Sequence, residues 1–327
     1  MMTLRRFVPA VIAASFATAA AAETALRVIL FPGAQNLPMW VAEKKGFFRD
    51  ENLSVAITPT PNSVFLVKSL IGGDQDIALA AFDNVVAYQE GQGEVALDGL
   101  PDFFAFAGIT RGTVRLVAHP SIARIADLKG KVLGVDAVNT GYSLALRKML
   151  RDAGLGEDDY TLQPIGGTGL RARALMENKT VATMLTTPFD LAAEAKGYRR
   201  LANLIDVGPY QSTVAFTRRS WASTHRDTLV RFARATARSM DWIYDPAHRA
   251  DAIALYRENV KDATEAHARA AIESLVQEKE GFAPGARLDP EGMANVLRIR
   301  SEFGKPKRDL ADVSRYVDES ILKEARQ

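Results

Sequence analysis

The stretch Leu37-Pro-Met-Trp-Val-Ala-Glu-Lys-Lys-Gly-Phe-Phe48 constrains the fold more than any other part of this chain. An apolar run over residues 26–31 precedes it, and another over residues 53–57 follows it. Pro38 has no N–H to lose in the first turn of a helix, so a helix can begin there. Trp40, Val41 and Ala42 then form an apolar stripe, and Glu43, Lys44 and Lys45 cover the outer side. Gly46 stops the helix, because glycine enters the left-handed conformation of a C′ position at no steric cost. The local pattern is strand, turn, short helix, strand. Its turn, residues 32–36, lies at the carboxyl end of a buried strand, where open α/β sheets bind ligands.

The same alternation continues. Further strands are expected over residues 76–80, 103–109, 114–118, 132–135, 160–165, 181–185, 201–207 and 212–217. Many of these runs are continuously apolar, as in sheets covered on both faces. Tyr142, Leu146, Met149, Leu150 and Ala153 repeat at helical spacing between two of them, and Gly154 ends that helix. βαβ units dominate, which predicts an α/β fold with mixed, largely parallel sheets. After Thr217 only helical patterns appear: a long amphipathic one through Leu229, Phe232, Met240 and Ile243, then residues 246–259, 264–277 and 290–303. Asp289-Pro290-Glu291 is a good helix start, with an acid at the N-cap and proline at N1.

Several motifs resemble those of one family. Pro38, Ala42-Glu43-Lys44, Gly46-Phe47-Phe48 and Leu53 look like the opening signature of periplasmic solute-binding proteins of ABC importers, in the nitrate, sulfonate, taurine and thiamine-pyrimidine-precursor (NMT1/THI5-like) branch. Leu70-Ile-Gly-Gly-Asp-Gln-Asp-Ile-Ala78, Asp127-Leu-Lys-Gly-Lys131, Gly166-Gly-Thr168, Arg173-Ala-Leu175 and Pro188 extend the likeness to about Leu204. Two details depart from it: Asn178-Lys-Thr-Val-Ala182 stands where Gly-x-Asp-Ala is usual, and Lys45 is an added residue. The resemblance implies a two-lobed periplasmic binding protein fold of type II, with a cleft between lobes and a helical C-terminal region. It places the crossovers near Gly112 and Gly208-Pro209. Lobe one is then residues 25–112 plus 213–327, and lobe two residues 113–212.

Composition bounds the partners. Residues 1–22 read as a cleaved signal peptide: Arg5-Arg6, an apolar segment, then Ala20-Ala21-Ala22 as an A-x-A cleavage site. A mature, periplasmic chain is expected. Without Arg5 and Arg6, Lys plus Arg equals the 39 Asp plus Glu, so no basic surface argues for nucleic acid. The chain has no cysteine, hence no disulfide and no lipid-bearing cysteine. No stretch after residue 22 approaches the ~20 apolar residues of a membrane span. The expected partners are a small-molecule ligand and a transporter permease in the membrane, with the binding protein itself a monomer.

Catalysis finds little support. His119, His225, His248 and His267 form no H-E-x-x-H pattern, and neither a nucleophile elbow nor a phosphate-binding loop occurs. No catalytic residue, metal ligand or cofactor is assigned. Eukaryotic pyrimidine synthases share the fold, but the resemblance implies that they use a cysteine-rich segment, which is absent here.

The binding candidates come from strand-end turns: Phe31, Gln35, Asn36 and Trp40 after the first strand; Phe82, Asp83 and Asn84 after the third; Asn139, Thr140 and Tyr142, then Thr187 and Phe189, in lobe two. Each has a structural alternative. Trp40 can pack its helix onto the sheet, Asp83 and Thr140 can cap helices, and Thr187 can cap the helix that Pro188 begins. Gly166-Gly-Thr-Gly169 can receive an anion at a helix N-terminus or merely make a tight turn. A rim of aromatics and amides suits a flat, neutral or weakly cationic organic molecule, with Asp83 accepting from its N–H. Arg111 is the one basic residue expected near the rim; it can supply a counter-charge if it faces the cleft, but a crossover arginine is more often solvated, and a buried sulfonate without a basic partner is costly. An aromatic or pyrimidine-like nitrogen compound therefore ranks above an alkyl sulfonate or nitrate. An enzyme of pyrimidine metabolism on this fold, and delivery to a sensor kinase, are the other readings.

Overall fold

The computed structural model describes residues 23–327. The leader expected over residues 1–22 lies outside the described residues. Among the described residues ten strands, β1 to β10, form two five-stranded sheets. One has the order β2-β1-β3-β10-β4, with β1 Thr24–Leu30, β2 Leu53–Pro59, β3 Ile77–Ala81, β4 Phe103–Gly108 and β10 Thr213–Arg218. The other has the order β7-β6-β8-β5-β9, with β5 Val114–Ala118, β6 Lys131–Val135, β7 Tyr160–Pro164, β8 Ala182–Thr186 and β9 Arg199–Asn203. The chain thus passes to the second sheet between β4 and β5 and returns between β9 and β10.

The two sheets share one plan, which no internal sequence repeat announces. Each centres on two parallel pairings, β1 with β2 and β3, and β6 with β7 and β8. Each is then completed by a strand antiparallel to both its neighbours: β10 between β3 and β4, and β5 between β8 and β9. Parallel pairings are therefore half of the total, fewer than the βαβ pattern suggests. The reason is topological: the strands that cross between sheets enter them running the opposite way. Residues 204–207, expected as strand, form a 3-10 turn instead.

The opening signature folds as its residues dictate. The helix Leu37–Lys44 buries Leu37, Met39, Val41 and Ala42, and Gly46 at φ 77° lies in the left-handed region just beyond its end. Behind the first sheet, the helix Arg219–Tyr244 buries Leu229, Phe232, Ala233, Met240 and Ile243 and bends at His225, whose φ is −128°. Arg231 and Arg234 tie it to Glu51, at 2.8 Å each. The helices Arg249–Asn259, Glu265–Leu275 and Pro290–Phe303 complete the C-terminal region. Among the described residues no helix is long and apolar enough to cross a membrane.

Candidate functional site

The carboxyl ends of β1, β3, β6 and β8 face one cleft between the two lobes. It encloses about 590 Å³, counting solvent at its mouth. From lobe one, Phe31 closes β1, Gln35 follows on the 3-10 turn Ala34–Asn36, and Ser63 opens the helix Ser63–Gly72. Asn84 sits one turn into the helix Phe82–Gln89, and Thr213 begins β10. From lobe two come Asp136 after β6, Thr140 and Tyr142 at the start of the helix Gly141–Asp152, Thr168 and Arg171 on the helix Thr168–Met176, and Thr186 ending β8.

The lobes meet around this cleft through hydrogen bonds. Ala34 N donates to Thr187 O at 2.9 Å, Gly167 N to Pro61 O at 2.8 Å, and Ser63 N to Asp136 Oδ2 at 3.3 Å. Within residues 113–212, Tyr142 Oη meets Ser212 Oγ, and burial raises the Tyr142 pKa. Asn139 is held at both main-chain atoms: its N–H donates to Glu94 Oε2 at 3.0 Å, and its carbonyl accepts from Arg300 Nη2 at 2.7 Å. Gly141 comes so near lobe one that a Cβ there would stand 2.5 Å from Asp83 Cβ.

Of the residues singled out from sequence, Phe31, Gln35, Asn84, Thr140 and Tyr142 line the cleft. Thr140 Oγ1 donates to Ala137 O at 3.0 Å and caps no helix N–H. Gln35 Nε2 donates to Phe31 O at 3.1 Å, which leaves its buried Oε1 without a partner.

The others lie elsewhere. Asn36 is buried with its amide donated to Phe31 O at 2.8 Å. Trp40 packs on the core of lobe one. Phe82 is fully buried, edge-on to Tyr316. Thr187 donates its hydroxyl to Asp190 Oδ2 at 3.3 Å. Phe189 packs on the small cluster of Val117, Ala172, Leu175, Leu185 and Ala193. Asn139 contributes its main chain, as described.

Asp83 needs a correction. Its carboxylate is 1% exposed and is gripped by Arg300 through two bonds of 2.6 Å, from Nε and Nη2. It neither caps the helix, whose N-cap is Ala81, nor offers a free oxygen to the cleft. Arg300, on the helix Pro290–Phe303, is fully buried. The partner comes from so far along the chain that no local pattern could announce it.

The expectation that no basic residue but Arg111 stands near the rim is also overturned. Arg171 lines the cleft and is 4% exposed. Its Nη1 donates to Gly166 O at 2.6 Å, and its Nη2 to Thr168 Oγ1 at 2.7 Å and Met184 O at 3.0 Å. Every one of these acceptors is neutral. Burial lowers the arginine's pKa, and nearby Asp136 opposes that shift. A usable signal existed: Thr168 and Arg171 are three apart on a helix that starts at the glycine turn, so they share a face. Asp136 directly follows a strand and was open to the same strand-end reasoning. Arg111, by contrast, spends its side chain on Glu278 O at 2.8 Å. Among the described residues no three His, Cys, Asp or Glu side chains gather as a cation site.

A family model described as "NMT1/THI5 like" matches residues 34–250. YtlA of Bacillus subtilis (strain 168) is 27% identical over 216 residues, which span 63% of this chain and 62% of that relative's length. Among solved structures, the periplasmic nitrate-binding protein NrtA from Synechocystis PCC 6803 superposes with a TM-score of 0.77 at 12% identity, covering 93% of this chain and 89% of NrtA. The alkanesulfonate-binding protein SsuA from Xanthomonas axonopodis pv. citri, bound to MOPS, gives 0.73 at 17% identity, covering 91% and 99%. The desulfurization enzyme DSZB gives 0.64 at 14% identity, covering 92% and 98%. At these identities the structural likeness is one of fold.

Proposed function

The chain belongs to the NMT1/THI5-like family, and from that premise we propose that it is the solute-binding component of an ABC importer. It holds a small organic solute in the periplasm between two lobes, residues 25–112 plus 213–327 and residues 113–212, and presents the closed form to a permease. The observation that carries this reading is the cleft itself: strand-end residues of both lobes line one cavity, and main-chain hydrogen bonds cross from lobe to lobe at its rim. A solute touching both walls binds the closed state better and shifts the population toward it. Gly112 and Gly208-Pro209 are the hinges. Gly208, at φ 105°, holds a backbone conformation that favours glycine.

The solute is organic, because Phe31 and Tyr142 give the cleft aromatic walls and Gln35 and Asn84 give it amides. Asp83 no longer supports a nitrogen compound, since Arg300 occupies its carboxylate; Asp136 takes over that role at the cleft. Arg171 removes the electrostatic objection to an anionic group. The competing reading is an enzyme on the same fold, which the likeness to DSZB favours.

Mass spectrometry of solute released from denatured, freshly purified protein tests the proposal. A bound small molecule, a radius of gyration that falls when it is added back, and a melting temperature that rises with its concentration are expected. Saturation at 100 times Kd adds about 2.7 kcal/mol. Conversion of the released compound by the protein would favour the enzyme, and an unchanged radius at saturation would refute closure. N-terminal sequencing of exported protein is expected to begin at Glu23.

A further inference from the structure

We infer that the solute of this cleft is a small ampholyte, with its anionic group at Arg171 and its protonated nitrogen at Asp136. The inference rests on the solute-binding reading and adds the charge pattern of the ligand.

The two charged side chains that line the cavity both stand on its lobe-two wall. They also line one smaller adjoining recess, with Thr140 and Tyr142 beside them. Yet they do not satisfy one another. The acceptors of Arg171 are two carbonyls and a hydroxyl, all neutral. Asp136 accepts one long bond, 3.3 Å, from Ser63 N. Its other oxygen, Oδ1, is buried and has no partner. A buried anionic oxygen without a donor is costly, and so is a buried cation without a counter-charge. The pair is laid out for something that reaches both.

Each simpler ligand leaves one cost in place. An anion meets Arg171 but repels Asp136 and leaves Oδ1 unpaired. A cation meets Asp136 but takes from Arg171 the carboxylate nearest to it. A neutral molecule can donate to Oδ1 but neutralises neither group. A molecule with a carboxylate or sulfonate and a protonated nitrogen settles both. The lobe-one wall points the same way. It presents no charge, and its Gln35 Oε1 is a second buried acceptor without a donor. With the hydroxyl Thr186 Oγ1 the cleft holds three unpartnered oxygens, and the two that can only accept call for a ligand that carries N–H groups.

Calorimetry with matched triplets tests this. The probes are taurine, ethanesulfonate and ethylamine, and para-aminomethylbenzoate, para-methylbenzoate and para-methylbenzylamine. Within at least one triplet the ampholyte is expected to bind tenfold or more tighter than both singly charged relatives. Asp136→Asn should remove that preference by weakening the ampholyte tenfold or more while leaving the anion unchanged or tighter. The variant keeps an acceptor for Ser63 N, and its melting temperature without ligand checks its fold. An anion that binds as tightly as the ampholyte and ignores Asp136→Asn overturns the inference. If no probe binds, the net charges of the solute released from the purified protein decide: one carrying both signs supports the inference, and any other overturns it. Neither probe binding nor a released solute would mean that solute binding itself fails, a signature distinct from a ligand of the wrong charge.

Discussion

Three arginines are buried among the described residues, Arg115, Arg171 and Arg300, and the two beside the cleft are served in opposite ways. Arg300 lies behind the cleft, fully buried, with both oxygens of Asp83 at 2.6 Å and the carbonyl of Asn139 at 2.7 Å. Arg171 lies in the cleft wall, nearly as buried, with no carboxylate among its hydrogen-bond partners. A bidentate carboxylate returns much of what desolvation takes from a guanidinium. Carbonyl dipoles return less. The first arginine is complete within the protein, and the second has charge left over for a ligand. The contrast teaches that burial alone does not mark a functional cation; the charge of its partners does.

The largest expected effect tests the completed pair. Asp83→Ala or Arg300→Ala leaves the other charge buried and unpaired, which costs roughly 3–5 kcal/mol. Urea unfolding of each variant should show that loss, and the double variant should lose less than the two singles combined. A loss below about 1 kcal/mol would mean that Asp83 is not neutralised by Arg300 in solution.

The second effect belongs to the other arginine and should appear mainly in affinity. Arg171→Gln should weaken the native solute on the order of 100-fold, about 2.7 kcal/mol. Its stability cost should be smaller, about 1–2 kcal/mol, because neutral hydrogen bonds are lost and no opposite charge is stranded at bonding distance. The two arginines would then separate on a plot of stability loss against affinity loss. If Arg171→Gln destabilises as much as Arg300→Ala and leaves affinity intact, the contrast is wrong.

These two residues also mark how far the sequence could be read. The helix Leu37–Lys44, its glycine stop and the helix Pro290–Phe303 follow from residues adjacent in the chain, where proline, glycine and period dictate conformation. Strand-end turns were equally legible, which is how Phe31, Gln35, Asn84, Thr140 and Tyr142 were found at the cleft. What stayed hidden was which side chains are already taken. Asp83 looks like a free carboxylate until Arg300 arrives from 217 residues away. Arg171 looks like an ordinary helical arginine until the carbonyls of Gly166 and Met184 hold it against the cavity. Pairing across such distances is set by tertiary packing, and no local pattern encodes it.

A third effect asks whether the wall near Arg300 meets lobe two only in the closed form. A methyl group at Gly141 would stand 2.5 Å from Asp83 Cβ and 2.8 Å from Tyr210 Oη. Gly141→Ala should therefore act as a wedge. Opening removes the contact with Asp83 and leaves only that with Tyr210 of the same lobe, so the melting temperature without ligand should fall less than with it. The closed form must shift to accept it, and affinity should fall about tenfold, near 1.4 kcal/mol. Equal losses of stability with and without ligand would show that the contact does not belong to closure.

The smallest effect concerns the grip on Asn139, which joins the two arginines' surroundings. Lobe one holds this residue by its carbonyl through Arg300 and by its N–H through Glu94. The next residues, Thr140 to Tyr142, line the cleft with Arg171. Glu94→Gln keeps an acceptor for the N–H but removes its charge, and a charge-assisted bond is roughly twice as strong as a neutral one. The expected loss is about 0.5–1 kcal/mol, a two- to fivefold rise in Kd. It should appear in faster solute release, because the bond exists only while the lobes touch. Stopped-flow release measures it directly. An unchanged release rate would place the Glu94 contact outside the closing step and leave Arg300 alone to hold the start of the lobe-two helix.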